Sequence, residues 1–268
     1  MKIYIRHQLI FAFLFLIGMV LTIHLTHQYA LSIQSLPNHP DELNIFYWLT
    51  PSFAVIQTGN LILLWGGALA CIFGTTIPDI KESQSLNHII RNIILIVVFI
   101  LEFSVISIVS TYIYEKIFIS IQINLTINIL QHSIKMFIAT YLYLLFWALL
   151  GYGLKLSLKY KILAIIIVLI IQIAEYFYII IQNPSLEKYL PYALSRQIVA
   201  SQFPFWEDGS WAAIPGTIIY ASSPMIVDDR YNILFIKPWL IFMFLLWYLF
   251  LAYALFIFRN LSETKKIF

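Results

Sequence analysis

The chain has 268 residues, of which 61% are hydrophobic and only 11% are charged. Because an ordinary soluble domain carries about 25% charged residues, this composition argues against a water-soluble fold and indicates that lipid is the solvent. The net charge of +3 is small and the basic residues are scattered over loops, so nucleic acid is not an expected partner.

Six apolar stretches have lengths near the roughly 20 residues that a helix needs to cross the hydrocarbon layer. We therefore predict an all-α integral membrane protein with a single transmembrane domain over residues 1–268. The first stretch follows Lys2 and Arg6, but no small-residue cleavage site follows closely, so we interpret it as a membrane helix rather than a signal peptide. The predicted spans cover residues 9–25, 53–74, 93–113, 136–154, 162–181 and 238–258.

The distribution of basic residues predicts the orientation of these spans, because short loops rich in Lys and Arg stay in the cytoplasm. The two termini and the loops at 75–92 and 155–161 together hold ten of the 16 Lys and Arg residues. Both termini are therefore expected to face the cytoplasm. The protein is expected to be a multi-pass protein of the bacterial cytoplasmic membrane.

Span two contains small residues at four-residue spacing, namely Gly66, Ala70 and Gly74. This spacing lets two helix backbones approach closely, so it predicts a helix-packing seam. Near the outer end of the same span, Gln57 and Asn60 lie one turn apart. We predict that they line an outward-facing polar vestibule together with polar residues of span five.

Span five carries the carboxylate Glu175 on one face with Gln172, and Tyr178 lies nearby. A carboxylate inside the bilayer costs several kcal/mol unless it is paired, neutralised or hydrated. One interpretation of this polar stripe is a pathway lining that favours cationic cargo. The other is interhelical hydrogen bonding that holds the bundle together.

Span three carries a second intramembrane carboxylate, Glu102, which is also a candidate pathway residue. The rest of its helical face is apolar, and Ser104, Ser107 and Thr111 gather on the opposite side of the helix. Two different surfaces of this helix must therefore meet protein or water. The structural interpretation of Glu102 is a protonated side chain packed against another helix.

The segment between spans five and six, residues 182–237, is expected to lie outside the cell. Ser185 can cap a helix over Leu186 to Val199, and Trp206 and Trp211 follow in an aromatic-rich stretch. Tryptophan prefers the headgroup level of a bilayer. We therefore predict an external interfacial or re-entrant helical segment here.

The sequence lacks the motifs of several common catalytic and binding sites. There is no Gly-x-x-x-x-Gly-Lys-Ser/Thr loop for nucleotide phosphates, and no Gly-x-Ser-x-Gly nucleophile motif. His24 and His27 could share a helical face, but no zinc-type set of four spaced ligands is present, and no metal site is predicted. The single cysteine, Cys71, is expected to be a core residue.

Short sequences near the ends of spans five and six resemble a known family. Tyr189-Leu190-Pro191 resembles the element that commonly opens the external helix after the fifth span, and Phe256-Ile257-Phe258-Arg259-Asn260 resembles the usual end of the sixth. With the six-span pattern, these features resemble the permease subunit of a type-two ATP-binding cassette exporter. The similarity is most specific over residues 137–199.

The resemblance implies a cytoplasmic coupling segment between spans two and three, at about residues 78–91. In that family this segment docks on a separate ATPase subunit, which binds ATP and Mg. An ordinary surface loop remains the alternative interpretation of this segment. The residues expected to contact the ATPase are Asp79, Ile80, Lys81, Leu86, Ile89 and Ile90.

The resemblance further implies a non-catalytic permease that acts with a second permease copy, identical or a sister subunit, and with cytoplasmic ATPases. Its expected cargo is an amphipathic or cationic peptide, or a lipid-like drug, as in antimicrobial-peptide export and immunity. A proton-coupled secondary transporter or channel that uses Glu102 and Glu175 is one alternative. A membrane enzyme or assembly factor is another.

Overall fold

The structure is a computed structural model in which all the regular elements of the described residues are helices. It describes residues 2–34, 51–77, 86–114, 127–158, 161–181, 190–191, 194–195, 198 and 238–264. The helices are α1 Lys2–Gln34, α2 Pro51–Thr76, α3 Leu86–Tyr114, α4 Ile127–Ser157, α5 Lys161–Ile181 and α6 Pro238–Thr264. The all-helical class is therefore confirmed, and each predicted span falls within one of these helices.

The outer surface of the helices is apolar, as expected for a protein that contacts lipid. Among the described residues, three helical segments are long and apolar enough to cross a membrane: Ile5–Leu25, Asn87–Ser110 and Met136–Leu156. Ile162–Glu175 and Trp239–Ala254 are shorter apolar stretches. Large side chains such as Phe13, at 63% exposure, and Leu249, at 66%, point away from the protein core. Such a surface is stable in hydrocarbon and unstable in water.

Helices α2 and α4 form the centre of the bundle and make its most extensive contact. Helix α1 packs against α2 and α3, α5 packs against α2 and α4, and α6 packs against α4. The start of α1 lies beside the end of α2, because His7 Nε2 is 3.2 Å from Thr76 Oγ1. Likewise the start of α3 lies beside the end of α4, where Asn92 donates to Tyr152. Helices α1 and α2 are therefore antiparallel, and so are α3 and α4.

The contact between α2 and α4 depends on small residues on both helices. A β-carbon added at Gly74 would collide with the carbonyl oxygen of Ala148, and one added at Gly151 would lie 2.5 Å from the carbonyl oxygen of Cys71. Cys71 and Ala70 are both buried. The packing seam predicted in span two is therefore confirmed, and its partner is α4, which contributes its own alanine and glycine. Cys71 is a core residue, as expected.

Aromatic side chains join α1, α2 and α3 on the other side of α2. The rings of Phe73 and Phe99 stack with their centroids 4.0 Å apart, and those of Phe15 and Phe103 stack at 4.3 Å. Phe11 meets the Phe73 ring edge-on at 5.3 Å. Since lipid tails are as apolar as these rings, it is shape-matched packing rather than water exclusion that favours this cluster in a membrane.

A glycine and a threonine on α1 accommodate the one tryptophan of α2. A β-carbon at Gly18 would lie 2.6 Å from the Trp65 ring, so only glycine leaves room for the indole. Trp65 Nε1 donates a hydrogen bond to Thr22 Oγ1 at 2.8 Å. The buried Thr22 thus takes part in helix packing, whereas the nearby His24 is exposed.

Part of the predicted external helix packs into the bundle. The amide of Leu194 donates to the carbonyl of Leu190 at 2.8 Å, and Ser195 Oγ donates to the carbonyl of Pro191 at 2.9 Å, as in a helical turn. Leu194 and Ile198 are buried in a cluster with Ala139 of α4 and with Leu240 and Phe244 of α6. The predicted cap Ser185 lies outside the described residues, as do Trp206 and Trp211.

The contact between α2 and α4 should not tolerate a larger side chain at Gly74. Gly74→Val is expected to lower the stability of the detergent-solubilised protein by about 1–3 kcal/mol, because its side chain must displace the α4 backbone. Leu249→Val, on the exposed face of α6, is the control and should leave the melting temperature unchanged. An unaltered melting temperature for Gly74→Val, measured by thermal unfolding with size-exclusion detection, would contradict the packing described here.

Candidate polar site inside the helix bundle

One face of α4 carries polar side chains that point into the bundle. Thr140, Tyr143 and Trp147 follow one another at helical spacing, and all three are buried. Gly151, one turn further along, belongs to the seam with α2. The same face of α4 therefore provides both the close packing and the polar groups.

Gly67 of α2 provides the space in which these side chains meet α5. A β-carbon at Gly67 would lie 2.5 Å from Nε2 of Gln172. It would also lie 2.8 Å from Cε1 of Tyr143 and 2.9 Å from Cδ1 of Trp147. Three side chains from α4 and α5 thus converge on Gly67, which has no side chain of its own. Larger residues at this position would close the space.

Three polar atoms on this face of α4 and on α5 are buried and have no hydrogen-bond partner among the described residues. They are Thr140 Oγ1, Trp147 Nε1 and Gln172 Nε2. Each can donate a hydrogen bond. A buried donor without a partner destabilises the folded protein by about 1–3 kcal/mol, so most proteins avoid the arrangement. We define these three residues together with Tyr143 and Gly67 as the inner polar site.

Gln172 and Glu175 lie on the buried face of α5, in line with Ala164 and Val168. Glu175 has 7% of its surface exposed, and it follows Gln172 by about one turn. Gln172 is half-buried, and the two residues share one face of α5, as their spacing predicts. The side chains of Tyr178, Gln57 and Asn60 lie outside the described residues, so the outward vestibule stays a prediction.

Glu102 lies away from the inner polar site. Its side chain is exposed on α3, while Ser104 and Ser107 on the other side of the helix are buried. Ser104 Oγ donates to the carbonyl of Ile100 at 3.0 Å, and Ser107 Oγ donates to the carbonyl of Ser104 at 2.7 Å. Among the described residues, Glu102 does not pack against another helix, contrary to the structural interpretation given above. The packed side of α3 is the one that bears Phe99 and Phe103.

The predicted coupling segment is divided between described and undescribed residues. Asp79, Ile80 and Lys81 lie outside the described residues. Leu86 begins α3, and Ile89 and Ile90 are half-buried and exposed, respectively, in its first turns. The second half of the segment is therefore continuous with α3, because no proline or glycine interrupts the apolar sequence after Leu86.

Both ends of this segment are held on one turn of α4. On the α2 side, Lys155 Nζ donates to the carbonyl of Ile77. On the α3 side, Asn92 Nδ2 donates to the hydroxyl of Tyr152 at 3.1 Å and lies 3.2 Å from His88 Nδ1. Lys155 and Tyr152 are three residues apart and both are buried. The described residues on both sides of 78–85 are thus joined to α4, whose inward face carries the inner polar site.

Several of these residues were not identified from the sequence. Thr140, Tyr143 and Trp147 have the i, i+3, i+7 spacing of one helical face, which could have marked α4 as polar on one side. Gly67 is adjacent to the predicted seam but was not part of it. The contacts of Lys155 with Ile77 and of Asn92 with Tyr152 span 78 and 60 residues, and no local pattern indicates them.

Comparison of the chain with protein-family models, with curated proteins and with solved structures finds no match. The function must therefore be inferred from the residues and their geometry.

The hydrogen bond between Asn92 and Tyr152 should contribute measurably to stability. Tyr152→Phe removes the acceptor for the buried Asn92 amide and is expected to cost about 1–3 kcal/mol, which thermal unfolding in detergent can measure. Tyr253→Phe is the matched control, because the Tyr253 side chain is 65% exposed. Equal melting temperatures for the two variants would show that the Asn92 contact does not hold α3 to α4.

Proposed function

We propose that this protein is the permease subunit of a transporter that moves an amphipathic or cationic peptide across or out of the membrane. The energy comes from a separate ATPase that acts on the segment between α2 and α3. The observation that carries the proposal is the inner polar site. It is a set of buried donors on α4 and α5 that have no partner in the part of the chain the structure describes, next to the close contact of α4 with α2.

The depth of the inner polar site supports transport. Gln172 is near the middle of the 21-residue helix α5, at a rise of about 1.5 Å per residue. A polar group at this depth is far from the headgroups on both sides, so lipid cannot satisfy it. Intramembrane polar groups of this kind commonly mark the route of a substrate or ion.

The chemistry of the site favours a particular class of cargo. The indole N–H of Trp147 and the amide N–H groups of Gln172 donate to oxygen acceptors, which the carbonyl groups of a peptide backbone supply. Glu175, one turn further along α5, offers negative charge to a cationic side chain. A peptide that carries both carbonyls and cations, and that partitions into lipid, matches these groups better than a small inorganic ion does.

The contacts at the ends of α2 and α3 support coupling to an external motor. Both flanks of the segment are fixed to α4 through Lys155 and Tyr152. A partner that pulls or pushes on the segment would shift α4 relative to α5 and so alter the inner polar site. Coupled transport requires this kind of change between states that bind the cargo with different affinity.

Removal of a single hydrogen-bond donor from the inner polar site should lower transport without lowering the stability of the protein. Trp147→Phe keeps most of the aromatic surface but removes the unpartnered N–H, so the melting temperature should stay the same or rise. Protection of cells against a synthetic cationic amphipathic peptide should fall about tenfold, the effect of one lost hydrogen bond of about 1.4 kcal/mol. Trp239→Phe, at a side chain that is 37% exposed, is the matched control. Full protection by Trp147→Phe would contradict a substrate role for the site.

The energy source can be tested with the native complex. The tagged protein, purified from its own membranes in a mild detergent, should bring with it a nucleotide-binding ATPase, which mass spectrometry can identify. Peptide export by intact cells should then depend on ATP and persist when the proton gradient is collapsed. Export that stops with the proton gradient, by a protein that purifies alone, would support the proton-coupled alternative and overturn the proposal.

A further inference from the structure

The buried donors of the inner polar site lie at two levels along α4. Trp147 and Gln172 share the first level, because Cδ1 of Trp147 and Nε2 of Gln172 lie 2.9 and 2.5 Å from the position that a β-carbon at Gly67 would occupy. Thr140 precedes Trp147 by seven residues, which places it on the same helical face and about 10 Å away along the axis. Thr140 and Trp147 are both buried. A single ligand that satisfies both levels must therefore carry acceptors separated by this distance.

The backbone of an extended peptide supplies acceptors at this separation. Its residues rise about 3.3 Å each, so two carbonyl groups about three residues apart match the two levels. A helical peptide does not match them, because its interior carbonyls are bonded within the helix. Only the last four carbonyls of a helix are free, and they lie within about one turn of 5.4 Å. A small inorganic ion reaches only one level.

The space beside Gly67 also favours a narrow ligand. The Gln172 amide and the rings of Tyr143 and Trp147 already crowd the position of a β-carbon there. A ligand therefore enters only when the Gln172 side chain and α5 move away from α2 and α4. An extended chain needs a separation of about 4.8 Å in its thin direction, whereas a helix with its side chains is about 10–12 Å across. The extended chain thus leaves more of the helix packing intact.

We propose that the inner polar site binds the cargo peptide as an extended chain and holds it by its backbone carbonyls. One carbonyl accepts from Trp147 and Gln172, and a second, about three residues along the peptide, accepts from Thr140. This inference rests on the proposed function and names its substrate class, which is linear peptides with unbonded carbonyls. Since every residue has a backbone carbonyl, the site holds peptides of different sequence.

A peptide that is locked as a helix tests the conformation of the cargo. A synthetic cationic amphipathic peptide is closed with a hydrocarbon staple, and the same peptide with the staple left open is the matched control. Protection is the ratio of the inhibitory peptide concentrations in native cells and in cells that lack the protein, so differences in toxicity between the peptides cancel. Protection against the open peptide should be greater by about tenfold or more, since the locked helix leaves the donors without acceptors.

The two peptides separate this inference from the proposed function. Equal protection against both would overturn the extended-chain inference and leave the proposed function in place. No protection against either peptide would overturn both.

Two variants test whether one peptide meets both levels at once. Thr140→Val keeps the shape of the side chain and removes its hydroxyl, and Trp147→Phe removes the indole N–H. Each should lower protection against the open peptide about tenfold, and the double variant about a hundredfold, because contacts at separate positions add. Ser104→Ala removes a buried hydroxyl that donates within α3, and this control should keep full protection at equal membrane levels on immunoblots. A double variant no weaker than either single variant would show that the cargo does not bridge the two levels.

Discussion

The close approach of α2 and α4 is the constraint on which the rest of the structure depends. Gly74 and Gly151 let the two backbones touch, and a side chain at either position would force them apart. In a bilayer the hydrophobic effect does not drive helices together, because lipid is as apolar as leucine. Small residues that permit extended van der Waals contact therefore determine which helices meet. Helix α5 then packs against both α2 and α4, and α6 packs against α4.

The same contact creates the inner polar site. Because α2 and α4 lie so close together, Gly67 faces Tyr143 and Trp147 directly, and Gln172 approaches from α5. The polar atoms that result have no partner among the described residues, although the helices around them are well packed. Stability alone would favour apolar side chains at these positions. A ligand or water that reaches the unsatisfied donors would explain them, as the proposed function requires.

The helices could be predicted from the sequence because each one contains a long run of apolar residues. Long apolar segments bounded by polar loops identified all six, and the four-residue spacing from Gly66 to Gly74 identified one side of the seam. The sequence could not predict that α4 is the partner, since pairing between helices depends on shape over the whole surface. It also could not predict that Glu102 is exposed while Glu175 is buried, because both are single carboxylates in apolar helices. Contacts such as that of Lys155 with Ile77 join distant parts of the chain, and no local sequence pattern indicates them.

The central claim is that the inner polar site is reached by water and cargo rather than sealed as dry core, and thiol accessibility tests it most directly. Thr140→Cys places a thiol in the site, and Ala139→Cys places one at the same depth against the apolar cluster with Phe244. During transport in cells, a membrane-impermeant, positively charged thiol reagent should label Thr140→Cys and leave Ala139→Cys unlabelled. Equal labelling of the two positions, or none at either, would contradict the account.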